Sequence, residues 1–137
     1  MSLVIAREQS LMKDLDDRAL EQVAAFFSAF AVPMRLKILN ALRDGERNVG
    51  DLTAELGGSQ ANISKHLGML AQMGLIEKTT RGTSAFYSIV DPRIFHLCDL
   101  VCVQVGRHLA DQAEAKGAFL RAMRTTRSPA RKRSAKR

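Results

Sequence analysis

Two short helical segments that meet at a glycine pair constrain the fold of this 137-residue chain more than any other feature. Asn48 can cap the first segment, with Asp51 at the third helical position, and Gly57-Gly58 ends it. Ser59 can cap the second segment, which Gly74 ends. Apolar residues recur at helical spacing in both, so each segment is expected to bury one face. Those residues are Val49, Leu52 and Leu56 in the first segment and Ile63, Leu67, Leu70 and Met73 in the second.

After Gly74 the residue pattern becomes that of β-strands. Residues 75–80 and 85–90 read as two strands, and the connection Arg81–Ser84 contains a glycine, which favours a hairpin. Two helices joined by a glycine-containing turn and followed by a hairpin are typical of a winged helix-turn-helix. The predicted fold class is therefore mainly α with a small β-hairpin wing.

Further helices are predicted on both sides of this motif. Residues 15–31 carry an apolar stripe so wide that it suggests two burial partners, one of them another chain. Pro33 suits the first position of the next helix. Three leucines are predicted to share one face of that helix: Leu36, Leu39 and Leu42. A last long helix is predicted after Asp91-Pro92, from about residue 93 to at least residue 114.

The second helix of the motif has polar positions that suit the major groove of DNA. A helix fits that groove, where Gln and Asn can pair bidentately with adenine and Lys can reach guanine or phosphate. At the tip of the hairpin, Arg81 can reach a phosphate or the minor groove. The predicted DNA contacts are the outward Gln60, Asn62, Ser64, Lys65 and His66 of the helix, with Ser59, Arg81 and Thr83 beside them. His66 also borders the core positions, where the alternative is a hydrogen-bonded spacer.

Several strings of residues resemble those of the ArsR/SmtB family, within a resemblance over about residues 18–105. They are Arg35–Leu39, Ser59–Leu67, Leu70, Gly74–Ile76 and Phe86-Tyr87 at the end of the wing. The resemblance implies a dimeric winged-helix repressor that releases double-stranded DNA when an inducer binds. It also implies that the first and last helices form the dimer interface. Two-fold symmetry then predicts a pseudo-palindromic operator with half-sites about one helical turn, ~34 Å, apart.

Three familiar sensor sites of that family are disfavoured here. Asn48 and Gly50 stand where a Cys-x-Cys pair would bind arsenic, and Asn40 stands where persulfide sensors carry a cysteine. The four places of a zinc-type site hold Asp91, Arg93, Gln104 and Arg107. One of the four fits, and arginine cannot act as a ligand.

Cys98 and Cys102 remain as the candidate sensor residues. Four residues apart on a helix, they are separated by about 6 Å along its axis and share one face. Two thiolates at this spacing can share a thiophilic metal or metalloid ion, or respond to an oxidant, with His96 or the cysteines of a partner chain as further ligands. The alternative is that both sulfurs are buried in an apolar stripe and only pack. Neither interpretation requires a cofactor for folding.

The net charge of +7 is concentrated at one end of the chain. Residues 121–137 contain eight Lys/Arg and no Asp/Glu, which gives +8, whereas residues 1–120 contain thirteen against fourteen, which gives −1. The composition from residue 125 onward favours a disordered basic tail over 125–137. The remaining predicted parts are an N-terminal arm or short helix (1–14), the winged domain with its dimerisation helix (15–114) and a helical extension (115–124).

These features favour a sequence-specific DNA-binding regulator, expected to be a homodimeric repressor whose DNA affinity an inducer modulates. The alternative is a non-sensing architectural or partner-binding winged-helix protein that holds nucleic acid mainly through its tail. An enzyme is not expected, because the sequence has no nucleophile elbow, phosphate loop or repeated metal-ligand spacing. Two cysteines and the lack of an apolar run near ~20 residues favour a cytoplasmic protein with no membrane partner.

Overall fold

The computed structural model describes the backbone of residues 11–134 and the side chains of residues 11–125. The chain divides into two compact units, Met1–Pro92 and Arg93–Arg137. In the first unit the described elements are a 3-10 helix (Leu11–Asp14), α1 (Asp17–Ser28), α2 (Pro33–Ala41), a 3-10 turn (Leu42–Asp44), β1 (Arg47–Asn48), α3 (Val49–Leu56), α4 (Gln60–Gln72), β2 (Ile76–Arg81) and β3 (Ser84–Ile89). The second unit consists of α5 (Ile94–Ser134). The predicted N-terminal arm lies mostly outside the described residues.

Side-chain caps fix where the helices of the motif begin. The Asn48 side chain accepts a hydrogen bond from the Asp51 N–H at 2.7 Å, and the Ser59 hydroxyl oxygen accepts one from the Asn62 N–H at 3.1 Å. Both caps are as predicted, as is Pro33 at the start of α2. Each cap satisfies a backbone donor that the first turn of a helix leaves without a partner.

The core of the first unit lies where α2, α3, α4 and β2 pack together. Its fully buried large side chains are Ile38, Leu39, Leu52, Ile63, Leu67, Leu70 and Ile76. The predicted inward faces of α3 and α4 are therefore confirmed at Leu52, Ile63, Leu67 and Leu70, while Met73 is half-buried.

One predicted face was wrong. Leu36 is 44% exposed, whereas Leu39 and Leu42 are buried. A step of three residues falls short of the 3.6-residue turn, so Leu36 is rotated about 120° from Leu42 around the helix axis. Ile38 and Ala41 take part in the buried face instead.

Three antiparallel strands form the sheet, in the order β1-β3-β2. Arg81 pairs with Ser84, so Gly82 and Thr83 form a two-residue turn rather than the four-residue connection predicted. Gly82 has a φ of +61°, while no described non-glycine residue has a positive φ, which is the pattern of a type II′ turn. The pairing of β1 with β3 was not predicted, because two residues are too few to show a strand pattern.

Helix α5 continues well beyond residue 114 and ends at Ser134. It therefore runs through the predicted extension and through residues 125–134, where the sequence favoured a disordered tail. Alanine, arginine and lysine have high helix propensity, whereas the disorder prediction was based on Pro129 and on the lack of large apolar residues.

Among the described residues no single helix is long and apolar enough to cross a membrane. Helix α1 and the segment Pro33–Asp44, which are bent by 74° relative to each other, reach that length and apolarity only when they are taken together.

Candidate nucleic-acid interface

Helix α4 separates its apolar and polar residues onto two faces. Ile63, Leu67 and Leu70 are buried against α2, α3 and β2, which fixes the rotation of the helix about its axis. Four of the predicted contact residues are consequently exposed: Gln60, Asn62, Ser64 and Lys65. A capped helix with amide, hydroxyl and ammonium groups on its free side can hydrogen-bond base edges and phosphates.

Ser59 is exposed and serves first as the N-cap of α4. Its hydroxyl oxygen accepts the Asn62 N–H, which leaves the hydroxyl hydrogen available to a phosphate oxygen. The positive end of the α4 helix dipole lies at the same place and favours an anion.

His66 does not lie on the outward face, and that part of the sequence prediction was wrong. Its side chain is only 9% exposed, and its Nδ1 atom accepts a hydrogen bond from the Nε–H of Arg35 at 3.2 Å. Burial, then the positive charges of Arg35 and Lys65, lower the pKa of His66 from 6.5, so the imidazole is neutral at pH 7. The ring is a hydrogen-bonded spacer between α2 and α4, which was the alternative interpretation.

The wing consists of β2, β3 and their turn, and Arg81 stands at its tip. Both terminal nitrogens of Arg81 bind the Glu46 carboxylate, at 2.6 and 3.0 Å, and its guanidinium carbon lies 5.1 Å from the centre of the Phe86 ring. The Arg81 side chain nevertheless stays 59% exposed, and Thr83 in the turn is exposed as well. A planar guanidinium at the tip of a hairpin can contact a phosphate or enter a groove of DNA.

The contact between Glu46 and Arg81 was not predicted from the sequence. Glu46 and Arg81 are 35 residues apart, and neither the loop before β1 nor the hairpin carries a local pattern that pairs them. The pairing follows from the sheet, in which β1 and β2 flank β3.

Cys98 and Cys102 lie on α5, and neither forms a disulfide. Cys98 is half-buried and Cys102 is exposed, so the expected burial of both sulfurs is not found within one chain. Among the side chains of residues 11–125, no three His, Cys, Asp or Glu residues come together to hold a metal ion. His96 and His108 are exposed, and His108 hydrogen-bonds Gln112 on its own helix.

Residues 33–78 match the family described as "Bacterial regulatory protein, arsR family". A regulator from Mycobacterium tuberculosis, "HTH-type transcriptional regulator NmtR", is 39% identical over 85 residues, which are 62% of this chain and 71% of that protein. A "Probable mercury resistance operon repressor" from Streptomyces lividans is 36% identical over 77 residues, which are 56% of this chain and 62% of that protein.

A similar solved structure is the homodimeric winged helix-turn-helix DNA-binding domain of Mb0332 from Mycobacterium bovis. It superposes with a TM-score of 0.60 at 34% identity and covers 70% of this chain and 92% of its own. The fold of that domain agrees with the arrangement of α2 to α4 and the wing.

Proposed function

Because the chain belongs to the ArsR family and is a DNA-binding transcriptional regulator, we propose that it is a homodimeric repressor that reads a pseudo-palindromic operator with α4 and the wing. The observation that carries the proposal is the face of α4 on which Gln60, Asn62, Ser64 and Lys65 are exposed together. Their donors and acceptors match the pattern of base edges and phosphates in the major groove. Arg81 and Thr83 at the wing supply contacts to the DNA backbone or the minor groove.

The proposed dimer uses α1 and α5. In the single chain, large apolar side chains of both helices are exposed to water: Phe27 on α1, and Leu100, Val101, Val103 and Val105 on α5. Burying such side chains against a second copy stabilises the dimer. The homodimeric state of the similar Mb0332 domain supports this arrangement. Two α4 helices related by a two-fold axis would then contact half-sites about one helical turn apart.

The proposal is tested by substituting Gln60 and comparing two DNAs. One DNA is a duplex enriched from random sequence by the wild-type protein, and the other is the unselected pool. Gln60→Ala is expected to reduce the preference for the enriched duplex by roughly fivefold to hundredfold, because a bidentate base contact is lost. Gln72→Ala, at the exposed end of the same helix, is the matched control. Equal losses on both DNAs would exclude base reading by Gln60.

The inducer is proposed to be a thiophilic ion, or an oxidant, that acts at Cys98 and Cys102. The exposure of Cys102 and the one-face spacing of the pair support this, and one relative is named a probable mercury resistance operon repressor. Mercuric ion, arsenite and peroxide are the probes. Each active probe should release DNA from the native protein and should fail to do so with Cys98→Ser/Cys102→Ser. A double variant that responds as the native chain does would overturn the thiol-sensor proposal.

The second candidate is an architectural protein that holds nucleic acid mainly through its tail. The +8 carried by residues 121–137 is the observation that favours it. The two candidates differ in what the tail contributes to DNA binding.

A further inference from the structure

Arg35 and His66 form a side-chain hydrogen bond that connects α2 to α4. Arg35 lies in the first turn of α2 and is half-buried, and His66 is buried on α4 one helical turn after the exposed Asn62. The bond uses the Nε–H of Arg35, at 3.2 Å from Nδ1 of His66. The bond uses only the Nε–H, so the two terminal NH₂ groups at the end of the planar guanidinium remain available as donors. Within residues 11–125 these two groups have no hydrogen-bond partner.

The partner of Arg35 differs from those of Arg81 and Arg47 in the same unit. Arg81 is paired with Glu46, and Arg47 lies 3.7 Å from Glu55. Arg35 has no carboxylate partner among the side chains that the structure describes, and the group that holds it is a neutral imidazole. His66 therefore orients the guanidinium without neutralising it. A fixed, uncompensated cation with two free NH₂ groups is arranged to bind a phosphate bidentately.

The position of the pair on α4 places this cation beside the candidate interface. His66 directly follows Lys65, whose side chain is exposed on the polar face. An arginine that is already oriented loses less conformational entropy when it binds, so holding it in advance strengthens the contact.

We propose that Arg35 is a DNA-backbone contact and that His66 is its positioning residue rather than a base contact. This inference rests on the proposed function, since it assumes that the exposed face of α4 meets DNA. It assigns His66 an indirect role, through the orientation of Arg35, and adds a backbone contact from a helix outside the helix-turn-helix motif.

The test is the salt dependence of DNA affinity, measured on the duplex enriched by the wild-type protein. Each phosphate contact adds about 0.9 to the slope of log affinity against log salt concentration. Arg35→Ala should therefore reduce the magnitude of the slope by about 1.8, because a homodimer loses one such contact in each subunit. His66→Phe should lower affinity because Arg35 is no longer held. Arg35→Ala/His66→Phe should bind no more weakly than Arg35→Ala alone. His66→Asn, whose amide oxygen can replace Nδ1 as the acceptor, should restore most of the wild-type affinity.

Two controls separate positioning from general damage. Lys37→Ala removes an exposed cation from the same helix, and its effect should add fully to that of His66→Phe. Folding of each variant is checked by circular dichroism, and if His66→Phe does not fold, the comparison of His66→Asn with His66→Ala replaces it. An unchanged slope in Arg35→Ala would exclude the backbone contact, and additive losses in the Arg35/His66 pair would exclude positioning.

Failure of this inference can be distinguished from failure of the proposed function. If the wild-type protein enriches no sequence, the proposed function fails. The slope for Arg35→Ala on unselected DNA still decides whether Arg35 contacts the backbone, because phosphate contacts do not depend on sequence.

Discussion

At the scale of single residues, the neutral state of His66 is tied to its hydrogen bond with Arg35. Nδ1 can accept a bond only while it is unprotonated, and a protonated ring would place a second positive charge next to Arg35. Burial and the charges of Arg35 and Lys65 act in the same direction and lower the pKa of His66 below 6.5. A second proton on this ring, at Nδ1, therefore opposes the contact between α2 and α4.

The stability of the fold should consequently depend on pH in the acidic range. Below pH 6.5 the unfolded chain binds a proton at His66 that the folded chain still excludes. The stability that this residue contributes is therefore fully present above pH 6.5 and is lost as the pH falls through the lower pKa of the folded state. Thermal unfolding between about pH 5 and pH 8 should show a larger acid loss for the wild type than for His66→Asn, which does not titrate. Parallel pH profiles for the two proteins would contradict this prediction.

The carboxylate of Glu46 occupies both terminal nitrogens of Arg81, so we expect it to oppose the proposed DNA contact of the wing. Glu46→Gln should raise DNA affinity, since it removes a negative charge and releases the guanidinium. The loss of stability should stay within about 1 kcal/mol, as is usual for an exposed ion pair.

Arg81→Ala should weaken binding to all sequences to a similar degree. Affinities on enriched and unselected duplexes measure both effects, and a loss confined to the enriched duplex would instead assign Arg81 to base reading.

At the scale of helices and strands, the start of α4 depends on Ser59. Replacing its hydroxyl removes the partner of the Asn62 N–H, so Ser59→Ala should reduce the free energy of unfolding by about 1 kcal/mol. Ser64→Ala removes the same group from an exposed position inside the helix and should change stability by less than about 0.5 kcal/mol. Denaturant unfolding of both variants checks the difference. Equal losses would show that the cap does not stabilise α4.

The elements that could be predicted from sequence are those whose causes are local. A cap and the donor it satisfies are three residues apart, as at Asn48 and Ser59, and an amphipathic face repeats within one helix. The pairing of β1 with β3 has no such local signal. The partners of His66 and Arg81 are 31 and 35 residues away and become neighbours only when the chain folds. The exposed face of α4 was therefore predictable apart from His66. The hydrogen bonds from Arg35 to His66 and from Arg81 to Glu46 were not predictable.

At the scale of the whole molecule, the excess positive charge and the exposed polar face of α4 lie in different parts of the sequence. Residues 1–120 carry −1, so the proposed contacts to DNA in that part depend on a few cations such as Lys65 and Arg35. Residues 121–137 carry +8 on a segment whose backbone is helical as far as Ser134. Charge of this kind strengthens binding to any DNA and carries no sequence information.

Deleting residues 125–137 separates the two candidate functions, because this segment contains six Lys/Arg and no Asp/Glu. The deletion should reduce the magnitude of the slope of log affinity against log salt concentration by up to about 11 for a homodimer, at about 0.9 for each lost phosphate contact. A regulator that reads sequence with α4 should keep its preference for the enriched duplex over unselected DNA and lose mainly salt-sensitive affinity. Replacing the six cations by glutamine is the matched control, since it keeps the length of the chain. If either change abolishes binding to both DNAs, the tail holds the nucleic acid and the architectural candidate replaces the repressor.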